Sequence, residues 1–304
     1  MKYYIKDYPR PQFVRDNWEN LNGAWDFRFD DENTGEYQKW YEGFETEYEI
    51  QVPFSYETKL SGIQDERRHD HVWYGKTIQV DGSRLEKENY IIHFEGSDFL
   101  TTLWVNGQMA GTHRGGYARF SFDITALVKE GENRLVVKVD DSFDMQQPRG
   151  KQRWRDENFE CWYVQTTGIW KTVWTEYVPK ISLKQVKMTP VLEDYSLDVE
   201  YQIDAPENMW DGSLQVEATV SYDGKFINQV STAVMSEHIH TKIDIAKKNS
   251  GYAWTVKTWS PEEPNLYDIV FKVVHSGMPV DCVGSYFAMR EIRIDQKNIL
   301  LNGR

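Results

Sequence analysis

The densest group of side chains with chemistry to offer lies in one polar segment, DSFDMQQPRGKQRWRDENFECWYVQTT (141–167). Arg149, Lys151 and Gln152 supply hydrogen-bond donors, and Trp154, Trp162 and Tyr163 supply flat apolar faces with one polar handle each. Planar donors and aromatic faces together suit a sugar ring, which shows hydroxyls at its rim and C–H groups on its faces. The same cations also suit a purely structural role, because backbone groups in a long loop need side-chain partners. A nucleic-acid role for PRGKQRWR is disfavoured, since Asp156, Glu157 and Glu160 follow at once. Glycoside hydrolysis needs two carboxylates about 5–5.5 Å or 6.5–9.5 Å apart. No such pair stands out among the many Asp and Glu, so no catalytic residue is assigned. Two histidine pairs at i, i+2, in RRHDH (Arg67–His71) and HIH (His238–His240), share a face on a strand, but no third metal ligand accompanies either.

The elements that must hold this segment are strands. In AWDFRFD, Trp25, Phe27 and Phe29 alternate with Asp26, Arg28 and Asp30. SLDVEYQID, SLQVEATVSYDG and RLVVKVD repeat the pattern, which marks half-buried antiparallel strands. Asn22-Gly23, Asp81-Gly82, Asn106-Gly107, Asp211-Gly212 and Asp223-Gly224 read as hairpin turns, where both central residues need positive φ. No long amphipathic helix is visible. Pro179 follows a final strand, GIWKTVWTEYV, and ISLKQVKMTPV opens a new set. The expected organisation is all-β. A jelly-roll sandwich spans 1–179, an immunoglobulin-like sandwich spans 180–290, and a short piece, 291–304, follows. Segment 141–167 interrupts the strand rhythm. Structureless loops beyond about 12–15 residues are uncommon and usually functional, and this one is too aromatic for a disordered linker.

Composition narrows the class. The 304 residues carry a formal charge of −13, which argues against a general nucleic-acid or anionic-membrane surface. No window approaches the roughly 20 apolar residues of a membrane span, and MKYYIKDYPRP lacks the apolar core of a secretory leader. Two cysteines, Cys161 and Cys282, are expected as free thiols in a reducing, cytoplasmic setting.

Several motifs, in order, resemble the N-terminal part of glycoside hydrolase family 2, the family of β-galactosidase, β-glucuronidase and β-mannosidase. They are LNGAWDFRFD (Leu21–Asp30), VPFSYE with VWYGKTIQV (Val72–Val80), and the long stretch HFEGSDFLTTLWVNGQMAGTHRGGYARFSFDITALVKEGENRLVVKVDD (His93–Asp141). RGKQRW with TTGIWKTVW (Thr166–Trp174) is similar to a bacterial branch labelled β-galactosidase-like. WSPEEPNLYDI and YFAMREIRI resemble the end of the family's immunoglobulin-like domain. The resemblance implies a sugar-binding jelly roll, an immunoglobulin-like domain and then a (β/α)₈ barrel with two catalytic glutamates for retaining hydrolysis of β-glycosides. ILLNGR resembles the run into that barrel, so 291–304 is its expected start, the barrel is the expected partner, and no catalytic residue carries over. The expected ligand is a β-linked carbohydrate, β-galactoside first, with no nucleic acid and no membrane. No cofactor is implied for this portion; a Ca²⁺ or Mg²⁺ ion and homo-oligomerisation are matters for the parent enzyme. The family's β-galactosidases carry a sugar-reaching aspartate just before the Gly-Ile step. Here that place falls near Trp162, and Cys161-Trp162-Tyr163 holds no carboxylate, which leaves Asp156 or Glu160 as substitutes. A free-standing carbohydrate-binding module and a ligand-free scaffold are the rival readings.

Overall fold

The computed structural model describes residues 8–143, 146–246 and 255–304. Most of the segment expected to lack a leader's apolar core, MKYYIKD, and Asp144-Met145 of the long loop lie outside the described residues. The chain packs as two compact units, Asn17–Val178 and Met1–Asp16 with Pro179–Arg304.

The first unit is a jelly-roll sandwich. Its larger sheet has six strands in the spatial order Tyr48–Val52, Gly23–Phe29, His71–Val80, Gly131–Asp140, Leu100–Val105 and Gln108–Arg114. Its smaller sheet has four, Trp18–Asn20, Val173–Pro179, Glu88–Phe94 and Phe120–Asp123. Alternation turns Trp25, Phe27, Tyr74, Ile92, Phe94, Leu135 and Val137 inward to one core. Each fully buried large side chain contributes about 1.5–3 kcal/mol relative to exposure. Strand His71–Val80 departs from simple alternation, with Val72, Trp73, Tyr74 and Gly75 all buried. The reason lies on its outer face, where Trp40, Trp73, Trp104 and Val136 form a second apolar cluster. Asp30, expected on a polar face, is buried beneath this cover. Its carboxylate accepts the Thr34 and Gly35 amides at 2.8 and 2.9 Å and the Trp73 indole N–H at 3.0 Å.

The second unit is an immunoglobulin-like sandwich. A sheet of Ser182–Val191, Ser196–Asp204 and His238–Asp244 faces one of Lys225–Ala233, Leu214–Tyr222, Tyr267–His275 and Met278–Phe287. Their inner residues, Val199, Tyr201, Val216, Val220, Ile269 and Phe271 among them, share one core. Residues 8–16, placed in the first domain by the sequence reading, pack here instead. Phe13 joins this core, and Val14 exchanges backbone hydrogen bonds with Gly284 at 2.8 and 2.9 Å. The buried Arg15 guanidinium grips both oxygens of Asp281 at 2.9 and 2.8 Å and donates to the Leu183 carbonyl at 2.7 Å. Local sequence carries no sign of a pair so far apart in the chain. The segment 291–304 forms a hairpin, Ile292–Asp295 with Asn298–Leu301, turning at Gln296-Lys297.

Two of the five turn pairs close hairpins. Asn106-Gly107 and Asp223-Gly224 have φ of 51 and 80°, and 48 and 74°. Asn22-Gly23 instead passes the chain between the two sheets of the first unit. Asp81 caps a short 3-10 turn through the Ser83 amide, and Asp211-Gly212 lies in the loop before Leu214–Tyr222.

Candidate sugar site

Segment 141–167 contains no regular strand among its described residues, yet it is tied down along its length. Its two ends meet where Thr167 Oγ1 donates to Asp141 Oδ2 at 2.7 Å. The Thr167 amide donates to Glu57 Oε1 at 3.1 Å, and Gln147 Nε2 reaches Asp141 Oδ1 at 2.5 Å. Arg153 is the internal post. Its buried guanidinium donates to Gln165 Oε1 at 3.0 Å, Asn158 Oδ1 at 3.2 Å and the Glu66 carbonyl. Lys151–Arg153 is stitched to Tyr163 by two backbone bonds, 3.1 and 2.6 Å.

This folding gathers part of the sequence-predicted set around a cavity of about 480 Å³. Arg149, Lys151, Gln152 and Tyr163 line it. Asp98, Tyr117, Thr166 and Trp170, not singled out from the sequence, complete its lining. Gln152 is buried and donates from Nε2 to Asp98 Oδ2 at 2.8 Å. Burial, reinforced by the charge of Asp141, pushes the Asp98 carboxyl up to about 7, despite the Gln152 bond. Trp170 donates its indole N–H to the Gly116 carbonyl at 2.8 Å, and Tyr117 meets its ring edge-on at 6.0 Å. Tyr117 and Tyr163 are about half exposed, so their faces are open to a ligand. Gly116 is what lets this wall close. A Cβ there would lie 2.2 Å from Asp98 Oδ1, so the glycine of RGGY carries a legible hint that something packs against it.

The remaining predicted residues sit elsewhere. Trp154, Phe159 and Trp162 cluster at the loop tip, with ring centroids 5.3 and 6.4 Å apart and Arg155 4.7 Å above Trp154. Phe159 and Trp162 exchange backbone bonds at 3.1 and 2.8 Å around a turn in which Glu160 takes φ of 49°. Asp156 and Glu160 are exposed and do not line the cavity. The carboxylate in the cavity is Asp98, from a different part of the chain. What the cavity can do is bind. Tyr117, Tyr163 and Trp170 offer faces to a pyranose ring, and Asp98, Gln152 and Lys151 offer donors and acceptors to its hydroxyls.

The histidine pairs have ordinary partners. His69 is buried, stacks on Phe29 at 3.7 Å and bonds Asp31 at 2.7 Å, while His71 pairs with Asp140. His238 and His240 lie on the exposed side of their strand. Among the described residues no group of three or more His, Cys, Asp or Glu is arranged to hold a metal ion. Both cysteines are free and exposed, and no described helix is long and apolar enough to cross a membrane.

Known proteins match this architecture. Residues 18–178 fit the family model described as glycosyl hydrolases family 2, sugar binding domain, and residues 181–290 fit the model for glycosyl hydrolases family 2. A putative β-glucuronidase of Formosa agariphila is 29% identical over 240 residues, spanning 78% of this chain and 27% of its own length. A β-galactosidase of Thermoanaerobacter pseudethanolicus is 26% identical over 300 residues, spanning 94% of this chain and 35% of its own. Among solved structures, the β-glucuronidase of Ruminococcus gnavus superposes with a TM-score of 0.74 at 19% identity, over 96% of this chain and 49% of that one. A Bifidobacterium dentium β-glucuronidase gives 0.76 at 18% identity, over 95% and 51%. At such identities the superpositions speak for the fold. The chain therefore spans 27% and 35% of these two curated relatives and about half of the solved ones. Two consecutive family models, one on each β-sandwich, place the chain in glycosyl hydrolase family 2.

Proposed function

We propose that this chain is the N-terminal, sugar-holding portion of a cytoplasmic retaining β-glycosidase that acts on β-galactosides or β-glucuronides. The observation that carries the reading is the aromatic-walled cavity beneath loop 141–167, within the unit that matches a sugar-binding domain. In this reading Tyr117, Tyr163 and Trp170 hold the sugar face, while Asp98, Gln152 and Lys151 select its hydroxyls. The glutamates that break the bond belong to a barrel outside this chain, so the chain alone does not turn over glycosides. Its test is a pair of measurements on the 304-residue chain: hydrolysis of nitrophenyl β-galactoside and β-glucuronide, and calorimetric titration with the matching sugars. Turnover by this chain would refute the inactivity. In the parent enzyme, Tyr163→Ala and Trp170→Ala are expected to raise KM roughly tenfold, the scale of one lost aromatic contact. Unchanged KM and kcat would remove the cavity from the mechanism.

The same cavity favours a second reading, a carbohydrate-binding module that works without a catalytic partner, because every residue lining it comes from one unit. Glycan binding by the isolated chain, unaltered when the rest of the parent is present, would favour that reading over the first.

A further inference from the structure

Against segment 146–167 lie three buried carboxyl groups, Glu57, Asp98 and Asp141. They come from three separate parts of the chain, and each accepts a hydrogen bond from the loop or from its closing residue Thr167. The donors are neutral in every case: the Thr167 amide, the Ser55 side chain and its own backbone amide on Glu57, the Gln152 amide on Asp98, and the Thr167 hydroxyl and Gln147 amide on Asp141. A neutral donor satisfies geometry without cancelling charge, so a carboxylate held this way stays costly to bury. Glu57 Oε2 has no hydrogen-bond partner among the described residues.

We propose that segment 146–167 is a pH-sensitive clasp, closed when the carboxyl groups beneath it carry protons and loosened when they lose them. The charged and titratable surroundings agree. Glu57 is faced by Asp141 and by the phenols of Tyr56 and Tyr74. Asp98 is faced by Asp141, Arg149 and the Tyr117 phenol. Asp141 is faced by Asp70, Arg68 and Arg149, and shares a neighbouring cavity with His71, Arg114 and Asp140. Desolvation pushes Glu57 up to about 8 and Asp98 up to about 7, and raises Asp141 as well; Asp141 adds to the first two shifts by its charge. The sign follows. A carboxyl raised in the closed state binds a proton that the open state releases, so opening becomes easier as pH rises from the ordinary carboxylate range toward the raised value. For Glu57 that window reaches about pH 8, and for Asp98 about pH 7.

The clasp itself needs no ligand. Its consequence for sugar access rests on the sugar-holding reading above, since Lys151, Gln152 and Tyr163 are part of the same loop. Hydrogen exchange of the ligand-free 304-residue chain therefore tests the clasp independently of that reading. With rates corrected for the intrinsic pH dependence of exchange, protection in 146–167 is expected to fall at least tenfold between pH 6 and pH 8, while core strands hold theirs. Glu57→Gln, which keeps an acceptor for the Thr167 amide, is expected to flatten most of that slope. Asp98→Asn serves if the first variant does not fold, and is expected to flatten the part between pH 6 and 7. Loop protection that is equal at both pH values, a loss shared with the core strands, or an undiminished slope in both variants would overturn the clasp.

Discussion

Arg153→Ala isolates what holds the loop. The side chain is buried, and its guanidinium spends three donors on Gln165, Asn158 and the Glu66 carbonyl. A hydrogen bond from a charged group contributes about 1.5–3 kcal/mol, and bonds sharing one side chain do not add fully. Gln165 retains weaker bonds from its amide to the Tyr56 hydroxyl and the Arg67 carbonyl, at 3.4 and 3.3 Å. A net loss of about 3 kcal/mol is expected, roughly a hundredfold in the equilibrium between ordered and open loop. Two of the three Arg153 bonds stay within the loop and the third reaches the Glu66 carbonyl, so the loss is expected in the loop. Hydrogen exchange read by mass spectrometry gives both quantities at once. Peptides within 150–166 are expected to exchange about a hundredfold faster, and those from His71–Val80 and Gly131–Asp140 at the normal rate. Arg153→Lys keeps the charge but not the fork, and is expected to fall between. Normal exchange in the loop of Arg153→Ala, or collapse of protection throughout the unit, would refute the reasoning.

Three further outcomes follow from close contacts. Asp281→Ala leaves Arg15 buried without its carboxylate and the Leu183 amide without that acceptor, and is expected to cost the second unit about 3–5 kcal/mol in denaturant melts; Arg15→Met with Asp281→Leu recovers only part of it, because the Leu183 amide and carbonyl both lose these partners. Gly168→Ala sets a Cβ 2.0 Å from the Tyr74 hydroxyl at a φ of +89°, and is expected to lower the melting temperature of the first unit by about 10 °C, with part regained on adding Tyr74→Phe. Gly116→Ala displaces the Asp98 carboxyl from beneath it and is expected to abolish calorimetric sugar binding while far-ultraviolet circular dichroism is unchanged.

Much of the strand framework is legible in period-2 alternation because one face of most strands is wet. It fails where both faces are covered, as at Trp73 and Trp104, whose outer cover comes from a segment with no alternation of its own. Asn-Gly and Asp-Gly mark turns, not hairpins: only Asn106-Gly107 and Asp223-Gly224 have positive φ at both residues, while Asp81 has a φ of −82°, so Asn22-Gly23 and Asn106-Gly107 look alike in sequence and do different things. The loop of the candidate site is visible from its length and its aromatics. Its division of labour is not. Arg149, Lys151, Gln152 and Tyr163 reach the cavity, while Trp154, Asp156, Glu160 and Trp162 do not, because the turn at Glu160 carries the tip away into a cluster of its own. Asp98 is hidden for a different reason. It stands in an apolar strand run, SDFLTTLWV, and only its contact with Gly116 and Gln152 gives it a task.

The Arg15–Asp281 pair has a consequence for biosynthesis. The partners are 266 positions apart, and the whole of Asn17–Val178 is made between them. At about 5–20 residues per second, Arg15 waits some tens of seconds on the ribosome before its carboxylate exists. The first sandwich has its own core and can close during that interval; the second cannot seat its first strap until nearly all of it has emerged. Slow translation between the two would therefore leave Phe13 and Arg15 exposed to chaperones for longer, and the second unit, not the first, would bear the cost.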